Sequence, residues 1–421
     1  MMQTAQVTTL GSGLRIATDA MPQVESVSCG IWIDSGARHE PAEVNGVSHL
    51  LEHMMFKGTA RRSAQDIADE IEAVGGHINA WTSREATAFF CKTLKDDLPL
   101  AVDILGDIVQ HSLFDEAELA RERDVVLQEI GQAMDTPDDI VFDHFQRAAY
   151  PDQALGRPVL GDPAIVGSFP RDRLDGYHKA NYTAARAVVA AAGNLDHEAF
   201  AAMVEERFGT LATGNRPAAE PARYDGGDYR EERELEQLHL LLGFRGAAQM
   251  DDDYFAAMLH STILGGGMSS RLFQEVREKR GLVYSVSSHN TAYADAGLYG
   301  IYAGTGPDRV AELVPVVFDQ LADLARGAGP EELARAKAQA RAGLLMARES
   351  TGARCEQLAH HMLAFGRPLA PAEILQRIEA VDEAAVGAFG GKLLAGPLTC
   401  AALGPAGALE SYDAMAARIA A

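Results

Sequence analysis

The chain has 421 residues, room for two to four domains at roughly 100–200 residues each. Hydrophobic residues make up 47% and charged residues 23%, which excludes a disordered or fibrous chain. With 37 basic against 60 acidic side chains the formal charge is -23. That is a poor surface for nucleic acid, which needs Lys and Arg to neutralise phosphate. The charge either favours basic ligands or only keeps the protein soluble.

No run of 18 or more uninterrupted apolar residues is present, so no membrane span is expected. The first twenty residues lack the basic and apolar regions of a secretory signal, and a cytoplasmic location is the expectation. Cys29, Cys91, Cys355 and Cys400 are scattered and form no CxxC pair. They read as buried free thiols in a reducing compartment, not as a disulfide frame or a thiolate zinc site.

In chain order, residues 24–34 are strand-like and 46–56 have helical spacing. Ser63 to Gly75 predicts a helix closed by a C-terminal glycine, followed by the strand-like HINAWTS. Residues 211–232 are rich in Pro, Gly, Ala and charge and form a candidate linker. Beyond it the order repeats: a strand at 235–245, a helix at 254–264, a helical pattern from Ser269 to Gly281, then the strand-like LVYSVSS. Glu118-Leu119-Ala120-Arg121 recurs as Glu332-Leu333-Ala334-Arg335, each opening a long helical stretch. These matches in the same order indicate an internal duplication of mixed α/β halves, about 200 residues each. The expected division is 1–210, a linker at 211–232, and 233–421.

The strongest chemical signal is His49-Leu50-Leu51-Glu52-His53. Residues four apart stack on one face of a helix, so His49 and His53 can aim ring nitrogens at one ion. Glu52 sits beside them, in the H-x-x-E-H order of inverted zincins. The alternative is an ordinary helix with two solvated histidines. A two-histidine zinc site needs a third ligand, usually a carboxylate. The stretch 121–136 offers Glu122 and Glu129, seven apart on one helical face, with Glu129 76 residues beyond His53.

On these residues the sequence resembles the M16 (pitrilysin-type) metallopeptidases, most closely the M16B subfamily of the mitochondrial processing peptidase β subunit and its bacterial homologues. The resemblance runs from about Gly11 to the end. It implies an α+β fold of two tandem homologous domains, each a mainly antiparallel sheet packed with helices, closing as a clamshell on a central chamber. It implies one Zn2+ per chain held by His49, His53 and Glu129, with Glu52 as general base and Glu122 supporting the site without binding the metal. It also implies a zinc endopeptidase acting on oligopeptides or unfolded, basic segments.

Gly75-Gly76-His77-Ile78-Asn79-Ala80 matches the family's edge strand, whose Asn79 and Ala80 positions hold substrate backbone; the plain alternative is a strand after a capping glycine. The second half lacks the ligands, with Phe255, Leu259 and Gly343 at the matching positions. It has instead Arg277 and Tyr284, matching a pair that reaches the substrate carbonyl in the family. Gly265-Gly266-Gly267 is neither GxGxxG nor a Walker loop, which argues against nucleotide binding. It resembles a shortened substrate-capturing loop of the non-catalytic α subunit, or is a tight helix–helix turn. Asp139 and Asp143 share a helix face and can hold a guanidinium. Their positions match arginine-recognising residues of the processing peptidases; a solvated acidic helix start is the alternative. A homodimer is expected. The rivals are a heterodimer in which the chain acts only with an α-like partner, and a non-catalytic structural subunit.

Overall fold

A computed structural model describes residues 5–216 and 218–420; Pro217 of the candidate linker and residues 1–4 of the N-terminal stretch lie outside the described residues. The chain divides into two compact units, each built on one sheet.

The first sheet holds β1 (Gln6–Thr9), β2 (Arg15–Ala20), β3 (Ser26–Ile33), β4 (His77–Thr82), β5 (Thr87–Leu94) and β6 (Ala187–Gly193). Its order is β1-β2-β6-β3-β5-β4, and every pairing is antiparallel except β2 with β6. Strand β6, AVVAAAG, is buried along its whole length because small apolar side chains let both faces be covered. One face packs against α1 (Val47–Met55), α2 (Ala64–Ala73) and α3 (Leu98–His111) in a single apolar cluster. The helix α4 (Glu116–Met134) adds Leu119, Val126 and Ile130 to that cluster.

The second sheet holds β7 (Gly227–Glu231), β8 (Leu238–Arg245), β9 (Val283–Ala292), β10 (Gly297–Thr305) and β11 (Thr399–Leu403), in the order β7-β11-β8-β10-β9. Again only one pairing is parallel, β7 with β11. Strand for strand this repeats β2-β6-β3-β5-β4, so the duplication read from sequence is a duplication of topology.

The compact units are not continuous in sequence. The first is 1–131, 157–220 and 344–370; the second is 132–156, 221–343 and 371–421. Helix α5 (Pro137–Ala149), from the first half of the sequence, covers the second sheet through Val141, Phe145 and Ala149. A helix from the second half, Thr351–Phe365, covers the open face of the first sheet through Cys355, Leu358, Ala359 and Met362 against Trp32 and Ala190. The compact units thus assign one helix of each half of the sequence to the other half's sheet. The end of the span 211–232 is also not linker: Gly227–Glu231 is β7, a polar strand with no apolar alternation to betray it.

The pattern from Ser269 to Gly281 differs from its expectation as well. Its partner in the repeat forms α2 with a Ser63–Asp66 capping box, but here Phe273–Glu278 is π-helical. Leu282 N–H then reaches back to the Val276 carbonyl, and Gly281 takes φ +60°. The four cysteines are free and buried, as expected. Among the described residues no helix is long and apolar enough to cross a membrane.

Candidate metal centre and active site

Helix α1 carries the H-x-x-E-H residues, and its burial decides which way they face. Val47, Leu50, Leu51, Met54 and Met55 are fully buried in the core of the first unit. At 3.6 residues per turn that turns His49, Glu52 and His53 away from the core. The helix begins at Gly46, which takes φ +98° and would place a Cβ 2.8 Å from Gly161 Cα, so no other residue fits there. No side chain caps α1 from the N-cap position. Glu40 does so from a distance: its carboxylate accepts the Gly46 and Ser48 backbone N–H groups, both at 2.8 Å, and Asn45 Nδ2 at 2.9 Å. Burial pushes the Glu40 carboxyl above its ordinary value, against these hydrogen bonds. Its charge sits at the positive end of the helix that carries His49.

Helix α4 supplies the third corner. Glu129 Oε2 lies 3.6 Å from His49 Nε2 and 3.5 Å from His53 Nε2. One ligand atom from each of the three residues falls within 4.8 Å of the others, a grouping that stands alone among the described residues. Nitrogen and oxygen atoms about 2.1 Å from a tetrahedral zinc ion sit about 3.4 Å apart. The two nitrogen–oxygen separations, 3.6 and 3.5 Å, are close to that spacing, and His₂Glu is a zinc donor set. Burial, with His53 adding to it, holds His49 at about 4, so its ring is neutral near pH 7 and has a lone pair to give. The residues present therefore fit a zinc ion.

Behind His53, Glu122 is 5% exposed and its Oε2 accepts from His53 Nδ1 at 3.0 Å. A hydrogen bond there fixes the ring and leaves Nε2 turned towards Glu129, 3.5 Å away. Beside these residues, Glu52 Oε2 accepts the Thr82 hydroxyl at 2.5 Å. Burial raises the Glu52 carboxyl while the Thr82 hydrogen bond and His53 oppose the rise. A carboxylate moved upward in this way is suited to take and return a proton.

Thr82 ends β4, which pairs with β5 alone and is the edge of its sheet. The edge position expected for Asn79 and Ala80 is thus where these residues lie. Asn79 is exposed, and its Oδ1 accepts the Ala80 N–H at 2.9 Å. An extended peptide adding to this edge has to displace that side-chain contact.

The remaining sequence-derived residues lie in the second unit. The Arg277 guanidinium sits 4.8 Å from the Phe273 ring centre and 5.5 Å from that of Tyr284, so the structure brings the pair together. Tyr284 is 75% exposed. Asp139 and Asp143 lie on α5, Asp139 exposed and Asp143 half-buried. Gly265 and Gly266 end the helix Tyr254–Gly265, and their bareness has a packing cause. A Cβ on Gly265 would lie 2.6 Å from Ser288 N, and one on Gly266 2.6 Å from Thr262 Cα; Gly267 is open. Phe255 and Leu259, the counterparts of the histidines, pack in the apolar core.

Sequence reasoning passed over Glu40, Lys57 and Thr82. Lys57 follows α1 and pairs with Glu122. Lys57 lies past the end of α1, so helical spacing does not place it.

Residues 15–163 match the profile of insulinase, peptidase family M16, and residues 168–340 that of the peptidase M16 inactive domain. A protein of Rickettsia felis named an uncharacterized zinc protease is 37% identical over 406 residues, covering 96% of this chain and 98% of that one. One of the same description from Bacillus subtilis is 38% identical over 405 residues, covering 96% and 99%. The crystal structure of a protease from Helicobacter pylori shares the fold with a TM-score of 0.90 at 21% identity, covering 96% of this chain and 100% of that one.

Proposed function

The chain belongs to peptidase family M16, and from that premise we propose that it is a zinc-dependent endopeptidase acting on extended, basic peptide segments. The observation that carries this reading is the meeting of His49, His53 and Glu129 beside the hydrogen-bonded carboxylate of Glu52. The relatives' description as zinc proteases points the same way.

In this reading His49, His53 and Glu129 hold one zinc ion per chain, and Glu122 holds the His53 ring. When bound, zinc supplies Lewis acidity, lowering the pKa of water towards about 7 and polarising a carbonyl. Glu52 takes a proton from the attacking water and returns it to the leaving amine, a role worth about 10²–10⁴-fold in rate. Thr82 holds the Glu52 carboxylate in one orientation. Arg277 and the Tyr284 hydroxyl are the donors assigned to the carbonyl oxygen as it becomes anionic. Strand β4, with Asn79 and Ala80, receives the substrate backbone as an added strand. The charge of -23, with Asp139 and Asp143 contributing, supports a basic substrate, and the Asp pair is the candidate for an arginine of it. The packing role of Gly265 and Gly266 leaves the capture-loop reading without support from their surroundings.

The test is cleavage of a quenched fluorescent basic peptide by the purified chain alone. Loss of cleavage with chelator and recovery with zinc are expected. Absence of cleavage by the zinc-loaded chain would refute a self-sufficient peptidase. Cleavage appearing only with an added M16 homologue would replace it by a catalytic subunit that needs a partner. Light scattering on the same sample tests the proposed homodimer, for which twice the chain mass is expected.

A further inference from the structure

Resting on the zinc reading above, we infer that Lys57 is a positioning residue of the metal centre, acting on His53 through Glu122. Lys57 Nζ lies 2.6 Å from Glu122 Oε1, while the other oxygen of that carboxylate accepts from His53 Nδ1 at 3.0 Å. The Glu122 side chain is only 7% exposed. A carboxylate so far from water is costly unless it is both charge-paired and hydrogen-bonded. Its two oxygens are met by one ammonium and one imidazole N–H, so Lys57 supplies the countercharge.

The carboxylate is pinned between Lys57 and His53, so the ring is held with Nδ1–H inward and Nε2 towards Glu129, 3.5 Å away. The lysine also separates two glutamates that lie two helical turns apart on α4. Glu122 is occupied by Lys57 and turned to the rear of His53, whereas the Glu129 carboxylate faces both histidine Nε2 atoms. Lys57 lies just past the end of α1, and through its pair with Glu122 it ties that end to α4.

The experiment compares zinc affinity, by competition with a chromogenic chelator, in the wild-type chain and the variants Lys57→Met, Lys57→Arg and His53→Ala. Alongside it, 1H–15N spectra of the metal-free protein follow the His53 ring Nδ1–H, a signature that bulk stability does not move. Lys57→Met keeps the stem and removes the charge. It is expected to weaken zinc binding about 10–100-fold, the range for outer partners of ligating histidines, and to lose the protected Nδ1–H signal. Lys57→Arg restores both. If Lys57→Met does not fold, Lys57→Gln takes its place in the same comparison. Wild-type affinity in the neutral variant, or equal weakness in Lys57→Arg, overturns the inference. Zinc binding that His53→Ala leaves unmoved overturns the zinc reading itself, and this inference with it.

Discussion

Replacing Arg354 with Met should loosen the first unit, although residue 354 comes from the second half of the sequence. Arg354 Nε donates to Asp19 Oδ2 at 2.7 Å and its Nη2 donates to Oδ1, a bidentate pair in which each residue is 8% exposed. Removing one partner of such a buried pair costs about 3–5 kcal/mol, because the other charge is stranded. Arg348 Nη1 stands 3.9 Å from the same carboxylate and offsets part of that loss. The lower end, about 3 kcal/mol, is the expectation. The assay is urea unfolding followed by tryptophan emission. Both tryptophans, Trp32 and Trp81, are in the first unit, and Trp32 packs in one cluster with Cys355 and Leu358. With a slope of about 3 kcal/mol/M, the midpoint should fall by about 1 M. Adding Asp19→Leu to the variant should recover part of the loss, since the stranded carboxylate is gone while Arg348, 3.9 Å away, gives up its countercharge. An unchanged midpoint in Arg354→Met would refute the assignment of this helix to the first sheet's stability.

His260 is fully buried, with its Nδ1 2.9 Å from the Tyr299 hydroxyl, and burial lowers it from 6.5 to about 3. Below about pH 6.5 the unfolded chain binds the proton that the folded chain refuses, so stability falls with pH across the window from 6.5 to 3. At pH 5 this amounts to about 2 kcal/mol relative to pH 7, and calorimetry of His260→Gln should show a flatter acid limb than wild type. An identical limb would show that His260 does not set the acid sensitivity. Gly265→Ala drives a Cβ into the β9 backbone and should destabilise by about 1–3 kcal/mol in thermal unfolding, while Gly267→Ala should be neutral. Equal tolerance of the two would mean that packing does not explain the glycines.

Much of the site was legible because it is written in local spacing. His49, Glu52 and His53 share one helix, and Glu122 and Glu129 share another, so a period of 3.6 placed each set on a face. The edge strand with Asn79 followed a capping glycine in the same local way. The exchange of α5 and the helix Thr351–Phe365 between sheets was not legible. An amphipathic pattern states that a helix has an apolar face, not which sheet covers it. The π-helix at Phe273–Glu278 escaped because the thirteen-residue window carries the same apolar spacing as its α-helical counterpart. Glu40 was hidden for a different reason: it caps α1 from outside the usual N-cap position, through a short 3-10 segment between them. Its role belongs to the folded backbone rather than to any motif.

Holding the metal and moving the proton fall to different residues in this mechanism, and Glu52→Gln tests that division. Glutamine keeps the shape of Glu52 and can still accept from Thr82, but it cannot take a proton. The variant is expected to hold one zinc per chain, as wild type does, and to cleave the basic peptide about 10²–10⁴-fold more slowly. Cleavage at the wild-type rate with equal zinc content would contradict this mechanism.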